Sequence, residues 1–139
     1  MEIFITITTF LLLGLILIFP ILILKRLKKN ILLNYSLISL FIVGLLIVVF
    51  AWWSHKSDLI LLNNFGYNIE GMNHNEFYEN VSSKNMEKVK SLETSIMGIG
   101  WPLKAIFGFV IFLPYLIFVY IGKNSIDKVK NKKALLKTE

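Results

Sequence analysis

Residues 3–24 read IFITITTFLLLGLILIFPILIL, an uncharged run of 22 residues, 17 of them Leu, Ile or Phe. As a helix rising 1.5 Å per residue the run reaches about 33 Å, enough to cross the hydrocarbon of a bilayer. At roughly −0.3 to −0.6 kcal/mol per large apolar residue, insertion is favoured by several kcal/mol. No basic stretch leads into the run, it is long for a signal core, and no small-x-small cleavage pattern follows it, so an uncleaved anchor is expected. Pro20 is placed to bend it near one end.

Two further runs share this character: Tyr35 to Trp53, and Trp101 to Ile121, which holds Pro114 and one charge, Lys104. Backbone groups at membrane depth must pair within their own segment, so all three runs are expected to be helices, and three are too few for a barrel. The rest of the composition agrees. The chain of 139 residues is 55% hydrophobic, with 15 basic residues against 9 acidic ones and no cysteine. That excludes disulfides and thiolate metal sites and is too apolar for an ordinary soluble domain. Basic charge lying beside apolar runs points to anionic lipid headgroups rather than nucleic acid as the partner. The lipid contacts are assigned to Lys25, Arg26, Lys28, Lys29 and the C-terminal lysines.

Orientation follows from where the lysines fall. The connector after the first run has Lys25, Arg26, Lys28 and Lys29 and no acid, and the tail has Lys123, Lys128, Lys130, Lys132, Lys133 and Lys137. The long segment between the second and third runs has four lysines and six acids. By the positive-inside rule the connector and tail face the cytoplasm and the long segment faces out. Trp52, Trp53 and Trp101 then fall at the outer boundary and Tyr35 and Tyr120 at the inner one, as interface anchors. The expected organisation is an outer N-terminus (1–2), a first span (3–24), a basic cytoplasmic connector (25–34), a second span (35–53), an extracytoplasmic loop (54–100), a third span (101–121) and a lysine-rich cytoplasmic tail (122–139). The fold class is an all-α integral membrane protein with three transmembrane helices, N-out/C-in, and a partly helical outer loop. A bacterial inner (plasma) membrane is the expected location.

Within this frame the residues sort by role. Gly14, Gly44 and Gly108 each lie near mid-span, where small residues let helices approach closely, so one shared contact layer is expected. The loop's first part, rich in Leu59, Ile60, Leu61 and Leu62, reads as a segment lying in the headgroup region. Asn73 with Glu76 reads as a capping pair for a short helix through Glu79. Met86, Val89, Leu92 and Ile96 recur at helical spacing and make one stripe. Gly98 and Gly100 end that helix, and Pro102 suits the first turn of the next.

No motif for catalysis or cofactor binding is present, and the reading is of a protein that is not an enzyme. His74 with Glu70, Glu76 and Glu79 has metal-like residue types but no zinc spacing. A solvated, acidic and aromatic surface is the better reading of that stretch. With Phe77 and Tyr78 it forms the expected partner contact. Lys104, one turn inside Trp101, is the deepest charge. Its stem reaches the headgroups by snorkelling, or its ammonium, beside a helix N-terminus, attracts a partner's acid or a lipid phosphate. No carboxylate or histidine lies at membrane depth, which argues against proton-coupled transport.

In layout the chain is similar to immunity proteins against pore-forming bacteriocins, which are short, basic, multi-span inner-membrane proteins with exposed outer loops. With no chemistry at membrane depth, the expected role is that of a non-catalytic protein acting by protein–protein contact, either as an accessory subunit of an envelope complex or, as the likeness implies, as protection against a membrane-active toxin. The alternative is a holin-like self-assembling pore, which three spans and a basic inner tail also fit, although its connectors are short and its water-lining spans carry polar stripes.

Overall fold

The computed structural model describes residues 1–27, 31–98 and 100–135, with residues 131–135 described by backbone alone. Lys28, Lys29 and Lys137, assigned above to lipid contact, lie outside the described residues, as do the side chains of Lys132 and Lys133. The order of elements is α1 (Glu2–Arg26), α2 (Ile31–Asn64), α3 (His74–Tyr78), a single 3₁₀ turn (Ser83–Asn85), α4 (Met86–Gly98) and α5 (Trp101–Leu135). No strand occurs among the described residues.

Three of these helices, α1, α2 and α5, are long and apolar enough to cross a membrane. They are apolar all round rather than on one stripe, the pattern of a helix whose solvent is lipid. Phe4, Phe10, Phe41, Ile111 and Phe118 are each more than 60% exposed, which water would not tolerate in such number.

The bundle is antiparallel in chain order, and its registers are fixed by a few side chains. Between α1 and α2 the Trp53 indole N–H donates to the Thr9 hydroxyl at 3.2 Å. Between α2 and α5 the Tyr35 hydroxyl donates to the Leu116 carbonyl at 3.0 Å, and its ring stacks on Tyr120. Between α1 and α5 the Tyr115 hydroxyl donates to the Leu17 carbonyl at 2.6 Å. Interhelical bonds of this kind are worth about 0.6 kcal/mol on average in a membrane protein. The common core is Ile16, Val43, Ile47, Ala51, Ala105 and Leu116.

The glycines divide unequally. A Cβ on Gly44 would strike the Phe109 ring, and one on Gly108 would lie 2.8 Å from Ile47 Cγ2, so both are sites of close approach between α2 and α5. A Cβ on Gly14 would meet nothing within 4 Å. The expected layer of three glycines is therefore a layer of two, because α1 packs on α2 through Ile16 rather than through its glycine.

The second correction concerns length. α2 does not stop at Trp53 but runs on to Asn64, and its 34 residues span about 51 Å against a hydrocarbon thickness of about 30 Å. The segment read as lying along the headgroups is the upright continuation of α2. α5 likewise continues beyond Ile121 to Leu135, so the lysine-rich tail is helical over most of its length. α2 thus overhangs at one end of the bundle, here the cap end, and α5 at the other, the lysine end.

Candidate functional site

The overhang of α2 is the post on which the segment before α5 folds. α2 ends in a Schellman turn: the Gly66 N–H bonds the Asn63 carbonyl at 3.1 Å and the Tyr67 N–H bonds the Leu62 carbonyl at 3.0 Å. Gly66 has φ +84°, and a Cβ there would strike the Asn80 carbonyl, so this position needs glycine for two separate reasons. The turn brings Leu62 and Tyr67 together, the apolar contact that accompanies such caps. Both are buried with Val89, and Phe65, Phe77, Tyr78, Leu92 and Ile96 pack around them. This second core, the cap, is separate from the bundle core.

The expected capping pair is present. Asn73 precedes α3 and its Oδ1 accepts from the Glu76 N–H at 3.0 Å, while Glu76 Oε2 accepts from the Met72 N–H at 2.8 Å. The expected stripe of α4 is largely inward: Val89 is fully buried, with Leu92 and Ile96 against the cap core. What the sequence reading missed is Glu93, on the same helix. Its carboxylate accepts from the Tyr67 hydroxyl at 2.8 Å and from the Tyr78 hydroxyl. Burial, then the hydrogen bond to the Glu93 carboxylate and its charge, push Tyr78 up to about 12 and raise Tyr67 as well.

Lys104 has its partner inside the chain. Its ammonium donates to Ser95 Oγ at 2.9 Å and lies 3.6 Å from Asp58 Oδ2, and Ser95 Oγ donates to the same carboxylate oxygen at 2.8 Å. The cluster joins the overhang of α2, the end of α4 and the start of α5. The charge read as free for an external acid is thus already neutralised. Asp58 was missed because α2 was ended before it. The signal was the absence of any glycine or proline between Trp53 and Gly66. At the far side of the cap, Lys88 pairs with Glu2 at 3.3 Å and sits 5.4 Å from the Phe65 ring centre, tying α4 to the start of α1.

The residues expected to contact a partner separate into two groups. Phe77 and Tyr78 pack against the cap core, stacked and edge-on to Tyr67 respectively, and are only partly exposed at the surface they support. Glu76 is used by the α3 cap. Glu70, His74 and Glu79 are exposed, and His74 stacks on Tyr78 with ring centres 4.7 Å apart. Between them protrudes Met72, 94% exposed, with Ile69 half exposed beside the same turn. Among the described residues no three of His, Asp and Glu gather as metal ligands would. Of the residues expected as interface anchors, Trp52 is exposed near the α2 overhang, while Trp53 and Tyr35 make bonds between helices.

No family model, curated protein or solved structure matches this chain.

Proposed function

We propose that the chain is a non-catalytic, multi-pass protein of a bacterial plasma membrane that acts by protein–protein contact, with the cap as its working surface. Three spans hold the cap at the outer face, with N-out/C-in orientation. The partner meets the tip formed by Ile69, Glu70, Met72, His74 and Glu79. The observation that carries this reading is the tip itself. The cap has its own core, yet it leaves Met72 94% exposed amid acids, with nothing among the described residues to cover it. A flexible thioether on a rigid support suits an adaptable apolar contact, and the surrounding carboxylates favour a basic rim on the partner. Ten basic residues in the connector and tail support the orientation. The pairing of Lys104 with Asp58 and Ser95 within the chain fits a structural role for this charge at the junction of α2, α4 and α5.

Such a surface fits protection against a membrane-active toxin or an accessory role in an envelope complex. A photo-crosslinking residue at position 72 in native membranes should yield a discrete protein adduct. The adduct should be lost on Glu70→Lys with Glu79→Lys and absent with the probe at Leu45 on the lipid-facing side. Equal adducts from both positions, or none from position 72, would end the contact reading. Depolarisation of the host on timed expression would replace it with the pore reading.

A further inference from the structure

At the lysine end, remote from the cap, the C-terminal turn of α1 and the overhang of α5 enclose a groove of about 460 Å³. α5 contributes Val119, Gly122, Lys123, Ile126, Asp127 and Lys130. These recur at spacings of three and four and so make one helical face turned towards α1. α1 contributes Ile21, Leu24 and Lys25. Along the helices the apolar Ile21, Leu24, Phe118 and Val119 come first, on the bundle side, and Lys25, Lys123, Asp127 and Lys130 follow them, with Ile126 between Lys123 and Lys130. The apolar part is level with the end of the spans and the basic part lies beyond it, which is the order of acyl chain and phosphate in a phospholipid.

We propose that this groove binds one anionic phospholipid of the surrounding leaflet, its phosphate held by Lys25, Lys123 and Lys130 and its proximal acyl chain laid over Gly122. Among the described residues that line it, three lysines stand against one carboxylate, Asp127, so this lining is net positive. Asp127 pairs with Lys123 at 3.4 Å, with the two side chains 48% and 33% exposed. A pair that open is weakly held, so Lys123 is free to exchange its carboxylate for a phosphate. Gly122 leaves the floor clear: a Cβ there would meet nothing within 4 Å. Lysines that served only to orient the chain would need no groove and no register. Lys128 supplies the contrast, since it carries the same charge about 200° round the helix from Ile126.

The test is native mass spectrometry of the full chain in micelles doped with phosphatidylglycerol or with phosphatidylcholine at equal mole fraction. The wild type should retain one phosphatidylglycerol and little phosphatidylcholine. Lys25→Gln and Lys123→Gln should each weaken retention about fivefold, the usual effect of one lysine near an anionic headgroup. Lys128→Gln should not. Asp127→Asn should strengthen retention by releasing Lys123, a gain that a structural role for the pair does not produce. Gly122→Leu should abolish retention by filling the floor. Should that variant lose helicity, the lysine and aspartate variants decide alone. Equal losses from Lys128→Gln and Lys123→Gln would reduce the site to a diffuse field and overturn the proposal. Equal retention of both lipids, or displacement by millimolar inorganic phosphate, would overturn it too.

Discussion

Glu93 holds two phenols on one carboxylate, and the ionisation of those phenols sets the limit of the cap's stability in base. Tyr78 titrates near 10 when unfolded and at about 12 in place, chiefly through burial and then through Glu93. A raised pKa favours the protonated form in the fold. Its stabilisation is therefore complete below pH 10 and is lost as the pH climbs through the folded value. Tyrosinate absorbance should show phenols that ionise above the usual tyrosine range together with loss of cap protection, and Tyr78→Phe should remove one of them. Glu93→Gln should lower both titrations in part, leaving the larger share that burial causes. An unchanged profile in that variant would separate the tyrosines from Glu93. The Lys104, Ser95 and Asp58 cluster makes a second residue-scale claim. Lys104 and Asp58 are less than a quarter exposed. A double-mutant cycle of Lys104→Leu and Asp58→Asn should give a coupling of about 0.5–3 kcal/mol in cap unfolding, the range for residues within one ion-pair network. Lys104→Leu alone should leave insertion intact and loosen the junction of α4 with α5. Additive losses would return Lys104 to a snorkelling role.

The elements show where hydropathy reads well and where it stops. Each apolar run lies within a helix, because an apolar stretch of that length in lipid has no other way to satisfy its backbone. Helix ends are a different matter. Hydropathy marks where lipid ends, not where a helix ends, and α2 continues until a residue that tolerates positive φ appears, at Gly66. The cap followed from that missed continuation: Leu62 could not be paired with Tyr67, or Asp58 with Lys104, while residues 59–62 were laid flat on the surface. By contrast, the Asn73 and Glu76 cap and the α4 stripe were legible, since both depend on spacings within one turn or one face. Gly66→Ala should cost at least about 1–2 kcal/mol, the left-handed penalty alone. The expected outcome is a protease-sensitive cap on an inserted bundle. Gly108→Leu should lower the melting temperature in detergent by forcing α2 and α5 apart, whereas Gly14→Leu should change it little. Equal effects at the two positions would restore a three-glycine layer.

At the scale of the molecule, two overhangs point in opposite directions. α2 raises an acidic, aromatic cap beyond one end of the bundle, and α5 carries lysines beyond the other. The chain therefore has a strong charge dipole along the bundle axis, and a membrane that resists translocating lysine would accept it in one sense only. Because the chain has no cysteine, single thiols report on that sense without background. Met72 is 94% exposed and lies in a turn, so Met72→Cys should react freely wherever the cap faces water. Lys128 is exposed on the side of α5 turned away from Ile126 and the lysine-end groove, so Lys128→Cys reports on the other end with equal reach. In intact cells a membrane-impermeant thiol reagent should label position 72 and spare position 128, and lysis should expose both. The reverse pattern would put the cap in the cytoplasm and leave its tip without an external partner. Labelling at both positions before lysis would mean a mixed population, for which the charge asymmetry of the chain offers no physical cause.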